Sequence, residues 1–214
     1  MTRTVLLTGF EPFNEATINP AWEAVRALQG WRGEGFTVEV RQLPCVFGLA
    51  NQVVRDAVDL LKPDLVIAVG QAGGRAELSV ERVAINVDDA AILDNAGQQP
   101  VDRTIVDGGP AAYFATLPIK AIVREMRARG LVAGVSQTAG TFVCNHVFYG
   151  LMHHMAGAGA RAGFIHVPYL PEQALAFPGM PSMALEDIVE GLRAAVEVAL
   201  AVEADVVEVG GATH

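Results

Sequence analysis

The 214-residue chain is poor in cysteine, in basic side chains and in long apolar runs, and each shortage excludes something. It holds two cysteines, Cys45 and Cys144. Two are too few for a disulfide framework and form no metal-ligand spacing, so a reducing compartment fits, with a single Cys45–Cys144 bridge left open. Lysine and arginine total 15 against 24 acidic residues, a formal net charge of −9 with a pI near 5.0. That balance argues against nucleic acid or an anionic membrane as a partner. No uninterrupted apolar stretch reaches the length of a membrane span, and Thr4–Phe10 is too short for the core of a cleavable leader. The expected location is the cytoplasm. Charged residues make up 18% and hydrophobic ones 51%, which excludes a disordered chain. Without a repeat, a linker or a low-complexity run, residues 1–214 are expected to form one domain.

What is present alternates between two periods. Thr4–Phe10 and Leu65–Gly70 read as buried strands, and Phe36–Leu43 alternates as a strand does. Asn19-Pro20 is a cap followed by a helix-starting proline, predicting a helix over Ala21–Leu28. Leu49–Leu61 is amphipathic and stops at Lys62-Pro63, and Ile119–Arg129 stops at Gly130. Val80–Val87 reads as a strand, and Asp88–Gly109 as a polar connection with a turn at Asp94-Asn95-Ala96-Gly97. Leu131–Gln137 and Ala162–Val167 read as further strands. The proline-rich loop 168–181 leads to a last helix from Leu185 to about Val202. Strands alternating with helices predict an α/β fold, a mostly parallel twisted sheet covered on both faces.

Chemistry concentrates around Cys144. After Ser136–Thr141 the apolar residues recur at helical spacing (Val147, Phe148, Leu151, Met152, Met155), which puts the thiol at a loop-to-helix junction. Free backbone N–H groups and the helix dipole favour a thiolate there. His166 closes the apolar run Ala162–Val167. In an open parallel sheet both residues would lie at the carboxyl ends of strands, a nucleophile and a base converging on one crevice. Each has a plainer reading: cysteine is often a small buried hydrophobe, and a strand-end histidine can be a satisfied core group. His146 competes as a base but points away at its helical offset. His153-His154 point about 100° apart on a helix, so they read as surface residues and not as a metal pair. Glu81, a carboxylate within an apolar run, is a candidate to orient the imidazole, against an ordinary ion pair with Arg82. Gly70-Gln71-Ala72-Gly73-Gly74 is a tight turn or a loop approaching ligand; it lacks the lysine and spacing of a phosphate-binding loop. Phe10 and Phe13 are core or a clamp for a flat ring. Cys45 reads as core or pocket wall, with no titratable partner beside it.

Taken in order, Leu7–Phe13, Glu81–Asn86, Asp94–Pro100, Thr138–His146 and Phe164–Pro171 resemble the type I pyroglutamyl peptidases along nearly the whole chain. The resemblance implies a three-layer α/β/α fold of the phosphorylase/hydrolase-like kind and a cytoplasmic homo-oligomer, often a tetramer. It implies removal of an N-terminal pyroglutamyl residue from peptides, with no cofactor and no metal. By resemblance Cys144 is the nucleophile, His166 the general base and acid, and Glu81 the orienting acid. Phe10, Phe13, Phe142 and Val143 match the pyroglutamyl pocket, with Asn19 and Gln71 as polar positions close to it. One departure stands out: where the family commonly has Arg-Ile-Pro, this chain has Ala91-Ile92-Leu93, without the arginine's charge. Two other readings remain at this level. A nucleoside phosphorylase-like enzyme is disfavoured by the acidic charge and the lack of a basic phosphate cluster, and a non-catalytic pyroglutamyl-peptide binder is kept open by Ala91.

Overall fold

The computed structural model describes residues 2–211. In chain order its elements are β1 (Arg3–Phe10), α1 (Pro20–Arg26), β2 (Arg32–Gly33), β3 (Phe36–Leu43), α2 (Leu49–Leu61), β4 (Leu65–Gln71), β5 (Leu78–Glu81) and β6 (Val83–Ile85). They continue with β7 (Ala112–Phe114), α3 (Ile119–Ala128), β8 (Ala133–Ser136), α4 (Val143–His154), β9 (Arg161–Val167), α5 (Pro171–Ala174) and α6 (Leu185–Ala201). Seven strands form one sheet in the order β2-β3-β1-β4-β9-β5-β8, and β6 pairs with β7 in a small separate ribbon.

Alternation along the central strands sorts side chains into two cores. Val5 and Leu7 of β1 and Leu65, Ile67 and Val69 of β4 pack under α1, α3 and α6. Leu6, Val66 and Ala68, one residue out of phase, pack under α2 and α4. Both faces are therefore buried, which accounts for strands that read as continuous apolar runs. The predicted three-layer α/β/α fold is the one observed.

Two features differ from the expectation. β3, β1, β4 and β9 are parallel, but β5 runs antiparallel to β9 and parallel to β8. The strand leading towards Cys144 thus runs opposite to the strand carrying His166, and the thiol is returned to the β9 side by the loop 137–142. Val80–Val87 is also not one strand. The chain switches sheets at Arg82, with Glu81 ending β5 opposite Ser136, the last residue of β8, and Val83 opening β6.

Candidate active site

The histidine and the carboxylate are placed by strand register. His166 lies opposite Ser79 across the β9–β5 pair, and Glu81 lies two residues further along β5. Residues two apart share a face, so the two side chains meet diagonally. His166 Nδ1 is 2.7 Å from Glu81 Oε1, and both residues are buried. A carboxylate has only acceptor sites, so Nδ1 carries the proton and Nε2 is left as an acceptor. The ring of Phe164 packs against the imidazole, its centroid 4.8 Å from that of His166 and its plane tilted by 53°.

Glu81 does form an ion pair, but not with its neighbour in sequence. Arg75 Nη1 donates to the same Oε1 at 2.7 Å, while Arg82 reaches the carbonyl of Gly210. Arg75 also donates to Ser136 Oγ at 3.3 Å and to the carbonyl of Thr138 at 3.0 Å, tying Glu81 to the loop that precedes Cys144. The charge that keeps this buried carboxylate company comes from the loop after β4. Its only mark in the sequence is an arginine one residue past Gly73-Gly74.

Cys144 occupies the first turn of α4, as its flanking pattern predicts. The first intrahelical bond is from the N–H of His146 to the carbonyl of Phe142, so the N–H groups of Val143, Cys144 and Asn145 have no acceptor within the helix. Gly70, paired with His166 across β4–β9, explains how the thiol fits beside the strands. A Cβ at position 70 would lie 2.8 Å from Cys144 Sγ and 2.8 Å from the Phe164 ring, so only glycine leaves the sulfur its place. Burial, then Cys45 and Glu81, push the thiol above its ordinary pKa, with Arg75 acting the other way. Desolvation thus acts against the thiolate that the helix start favours.

The pocket residues divide. Phe13 and Phe142 stand with ring centroids 6.1 Å apart, and Phe47 meets Phe142 edge-on at 5.4 Å. Phe10 and Val143 are buried in the core beneath, Phe10 against Phe164 at 6.4 Å. Asn19 is engaged at both ends of its amide: Oδ1 accepts from the N–H of Ala21, and Nδ2 donates to the carbonyl of Glu11. It caps α1 and holds the loop bearing Phe13. Gln71 Oε1 accepts from Gln173 Nε2 at 3.0 Å. Sequence reasoning missed Phe47, which reaches the cluster through a tie between distant loops. The N–H of Phe47 donates to Asp94 Oδ2, and Glu11 Oε1 accepts from both Cys45 N–H and Asn95 Nδ2.

The competing groups lie elsewhere. His146 Nδ1 is 2.8 Å from Asp88 Oδ2 and its Nε2 accepts from the N–H of Gly48, so it faces α2 and not the thiol. His153 meets the hydroxyl of Tyr113 and His154 meets Asp59, each with its own partner. Ala91 is exposed on a segment whose Asp89 pairs through its backbone with Thr141, beside the start of α4.

Cys45 is buried and, against expectation, has acidic neighbours. Burial, then Glu11 and Asp94, raise its pKa from 9.0 to about 12. The folded protein therefore holds this proton more tightly than the unfolded chain does. The associated stabilisation is complete below about pH 9 and is lost as pH rises towards 12, at about 1.4 kcal/mol per pH unit for one thiol. Urea unfolding of the parent between pH 8 and 11 is expected to show this slope in excess over Cys45→Ala. Equal slopes would contradict the assignment.

Known proteins resemble this chain in both sequence and fold. The family model described as pyroglutamyl peptidase matches residues 3–202. A pyrrolidone-carboxylate peptidase of Cupriavidus necator is 67% identical over 215 residues, covering 99% of this chain and 100% of that protein. One from Klebsiella pneumoniae is 63% identical, covering 98% and 99%. The crystal structure of pyroglutamyl peptidase I from Bacillus amyloliquefaciens superposes with a TM-score of 0.95 at 48% identity, covering 98% of this chain and all of that one. With a Cys-bearing helix start, a buried His–Glu pair and full-length likeness of both sequence and fold, the chain belongs to the pyroglutamyl peptidase family.

Proposed function

We propose that this protein is a cysteine peptidase that removes an N-terminal pyroglutamyl residue from peptides, with Cys144, His166 and Glu81 as its catalytic groups. The observation that carries the reading is the Arg75–Glu81–His166 chain, which leaves Nε2 of the imidazole as a proton acceptor, together with the Cys144 sulfur lodged against Gly70, the residue paired with His166 across β4–β9. His166 Nε2 takes the Cys144 proton as Sγ attacks the scissile carbonyl. The C–S bond forms, and the oxyanion is met by backbone N–H groups of the first turn of α4, donors worth ~3–4 kcal/mol in comparable sites. Collapse breaks the C–N bond, and the imidazolium gives its proton to the leaving amine. Water, deprotonated by the same imidazole, then attacks the thioester carbonyl, and the thiol leaves with that proton. Glu81 stabilises the imidazolium in both halves.

Selectivity follows from the cluster of aromatic rings that Phe13, Phe142 and Phe47 form. A five-membered lactam is flat and has no charged nitrogen. The ammonium of N-terminal Glu, Gln or Pro would be desolvated among those rings without a partner. The same reading takes residues 1–214 as one domain that acts in the cytoplasm as a homo-oligomer, a tetramer as in its relatives by resemblance, on peptides and without nucleic acid or a membrane. In its support, no helix among the described residues is long and apolar enough to cross a membrane. The test is release of a fluorescent amine from a pyroglutamyl conjugate alongside prolyl and glutaminyl conjugates. Cleavage confined to the first is expected, and equal cleavage of all three would overturn the lactam specificity.

A further inference from the structure

A cleft bordered by Phe13 and Gln71 offers far more room than a lactam ring needs. It encloses ≈ 780 Å³ between the segment Phe13–Ile18 and the segment Tyr169–Phe177, a volume in the range that holds ligands of several residues. Two of its walls start at the reacting centre. Phe13 stands against Phe142, two residues before Cys144, and Gln71 follows Gly70, whose backbone borders Sγ. Further out, the rings of Tyr169 and Phe177 stack at 5.2 Å and 11°, holding a half-exposed phenylalanine in a fixed place. The Tyr169 hydroxyl crosses Gly73, where no side chain would fit.

One polar group on this surface has its polarity set from outside the cleft. The N–H of Leu170 can only donate, so the atom of Gln173 that it meets at 3.0 Å is Oε1. The carbonyl of Ile18 can only accept, so the other atom, at 3.2 Å, is Nε2. That same Nε2 donates to Gln71, which must therefore turn its Oε1 towards Gln173. What Gln71 has left for the cleft is its amide nitrogen, a donor suited to a peptide carbonyl. The charge of the cleft is one-sided: its lining includes the carboxylates of Glu15 and Glu172 and no lysine or arginine.

We infer that this cleft receives the peptide chain that follows pyroglutamate, and that Glu15 and Glu172 favour cationic side chains in that chain. The inference rests on the peptidase reading above. The link through Phe13 to Phe142 and through Gln71 to Gly70 argues for the substrate's own leaving chain as the occupant, in preference to a second copy of the protein.

The experiment compares kcat/KM for pyroglutamyl tripeptide amides whose two following residues are both Arg, both Ala or both Glu, with a pyroglutamyl aminocoumarin conjugate as the substrate without a peptide. Expected is the order Arg, Ala, Glu, with an Arg-to-Glu ratio of about 10 at low salt, as a few exposed charge pairs allow, shrinking as salt is raised. In the double variant Glu15→Gln/Glu172→Gln the ratio is expected to fall towards one, with the Ala peptide as internal reference. Equal rates for the three peptides, or a ratio untouched by the double variant, overturn the inference while cleavage of the conjugate keeps the peptidase reading intact. A double variant that shifts the sedimentation coefficient but not the ratio makes the cleft a subunit contact and also overturns it. Failure to cleave the conjugate itself removes both.

Discussion

Replacing Cys144 by alanine is expected to bring turnover of a pyroglutamyl conjugate below detection while leaving the melting temperature within a few degrees of the parent. The other thiol, Cys45, is almost fully buried, with its backbone N–H bound to Glu11 Oε1, and has no imidazole bonded to it among the described residues. Loss of a nucleophile that works as a unit with its base costs on the order of 10⁶ in kcat in a well-studied hydrolase. The fold should tolerate the change because the sulfur makes no hydrogen bond that alanine would leave open and its removal opens only a small void. Serine in its place keeps the shape but offers an oxygen that a lone imidazole activates poorly, so a small residue of activity at most is expected. Activity of Cys144→Ala near the parental level would sink the nucleophile assignment.

Glu81→Gln is expected to lower kcat by roughly 10²–10³-fold, less than the ~10⁴ seen when an amide replaces the carboxylate of a serine protease triad and lets the imidazole adopt the wrong tautomer. The reason for the smaller loss is Arg75. Its Nη1 and His166 Nδ1 both donate to the same atom, Oε1. In the glutamine variant Arg75 still requires an oxygen at that point, so the amide cannot turn its nitrogen to Nδ1, and Nε2 stays an acceptor. What is lost is the negative charge that stabilises the imidazolium. Arg75→Met in the Glu81→Gln background releases the amide, and a further drop of about tenfold or more is expected as the tautomer lock fails. Arg75→Met alone leaves a fully buried carboxylate without its ion-pair partner, a change that costs about 3–5 kcal/mol in buried pairs. Because Arg75 is about a third exposed, the lower end of that range applies. A Glu81→Gln enzyme as fast as the parent would reduce Glu81 to a structural ion pair, and an Arg75→Met change with the same effect in both backgrounds would refute the lock.

The parts of this account that were legible in the sequence share one property. Each is a polar residue standing in an apolar run, or a period that changes from two to 3.6. His166 and Glu81 interrupt buried strands, and Cys144 stands where loop gives way to helix. What was not legible depends on which chain segment lies next to which. Arg75 finds Glu81 across the sheet end, whereas the adjacent Arg82 turns outward to Gly210. Phe47 meets Phe142 because Asp94 and Glu11 bind distant loops together through backbone N–H groups. The apolar run from Val80 to Val87 carries no mark of the sheet switch at Arg82, since either strand alone would read the same way. Strand direction is equally silent, so the reversal of β5 and β8 relative to β9 appears only once pairing is known. Asn19 was legible as a helix cap, and the structure commits its amide to that task and to Glu11.

The central claim is that Cys144 forms an acyl-enzyme with the pyroglutamyl group. Intact-protein mass spectrometry of the enzyme quenched in acid during turnover tests it most directly, followed by peptide mapping of the adduct. Expected is a gain of one pyroglutamyl acyl group, mapped to Cys144, discharged by hydroxylamine and absent from Cys144→Ala. Steady turnover of the conjugate with the adduct on another residue, or with its product formed by Cys144→Ala, would contradict it.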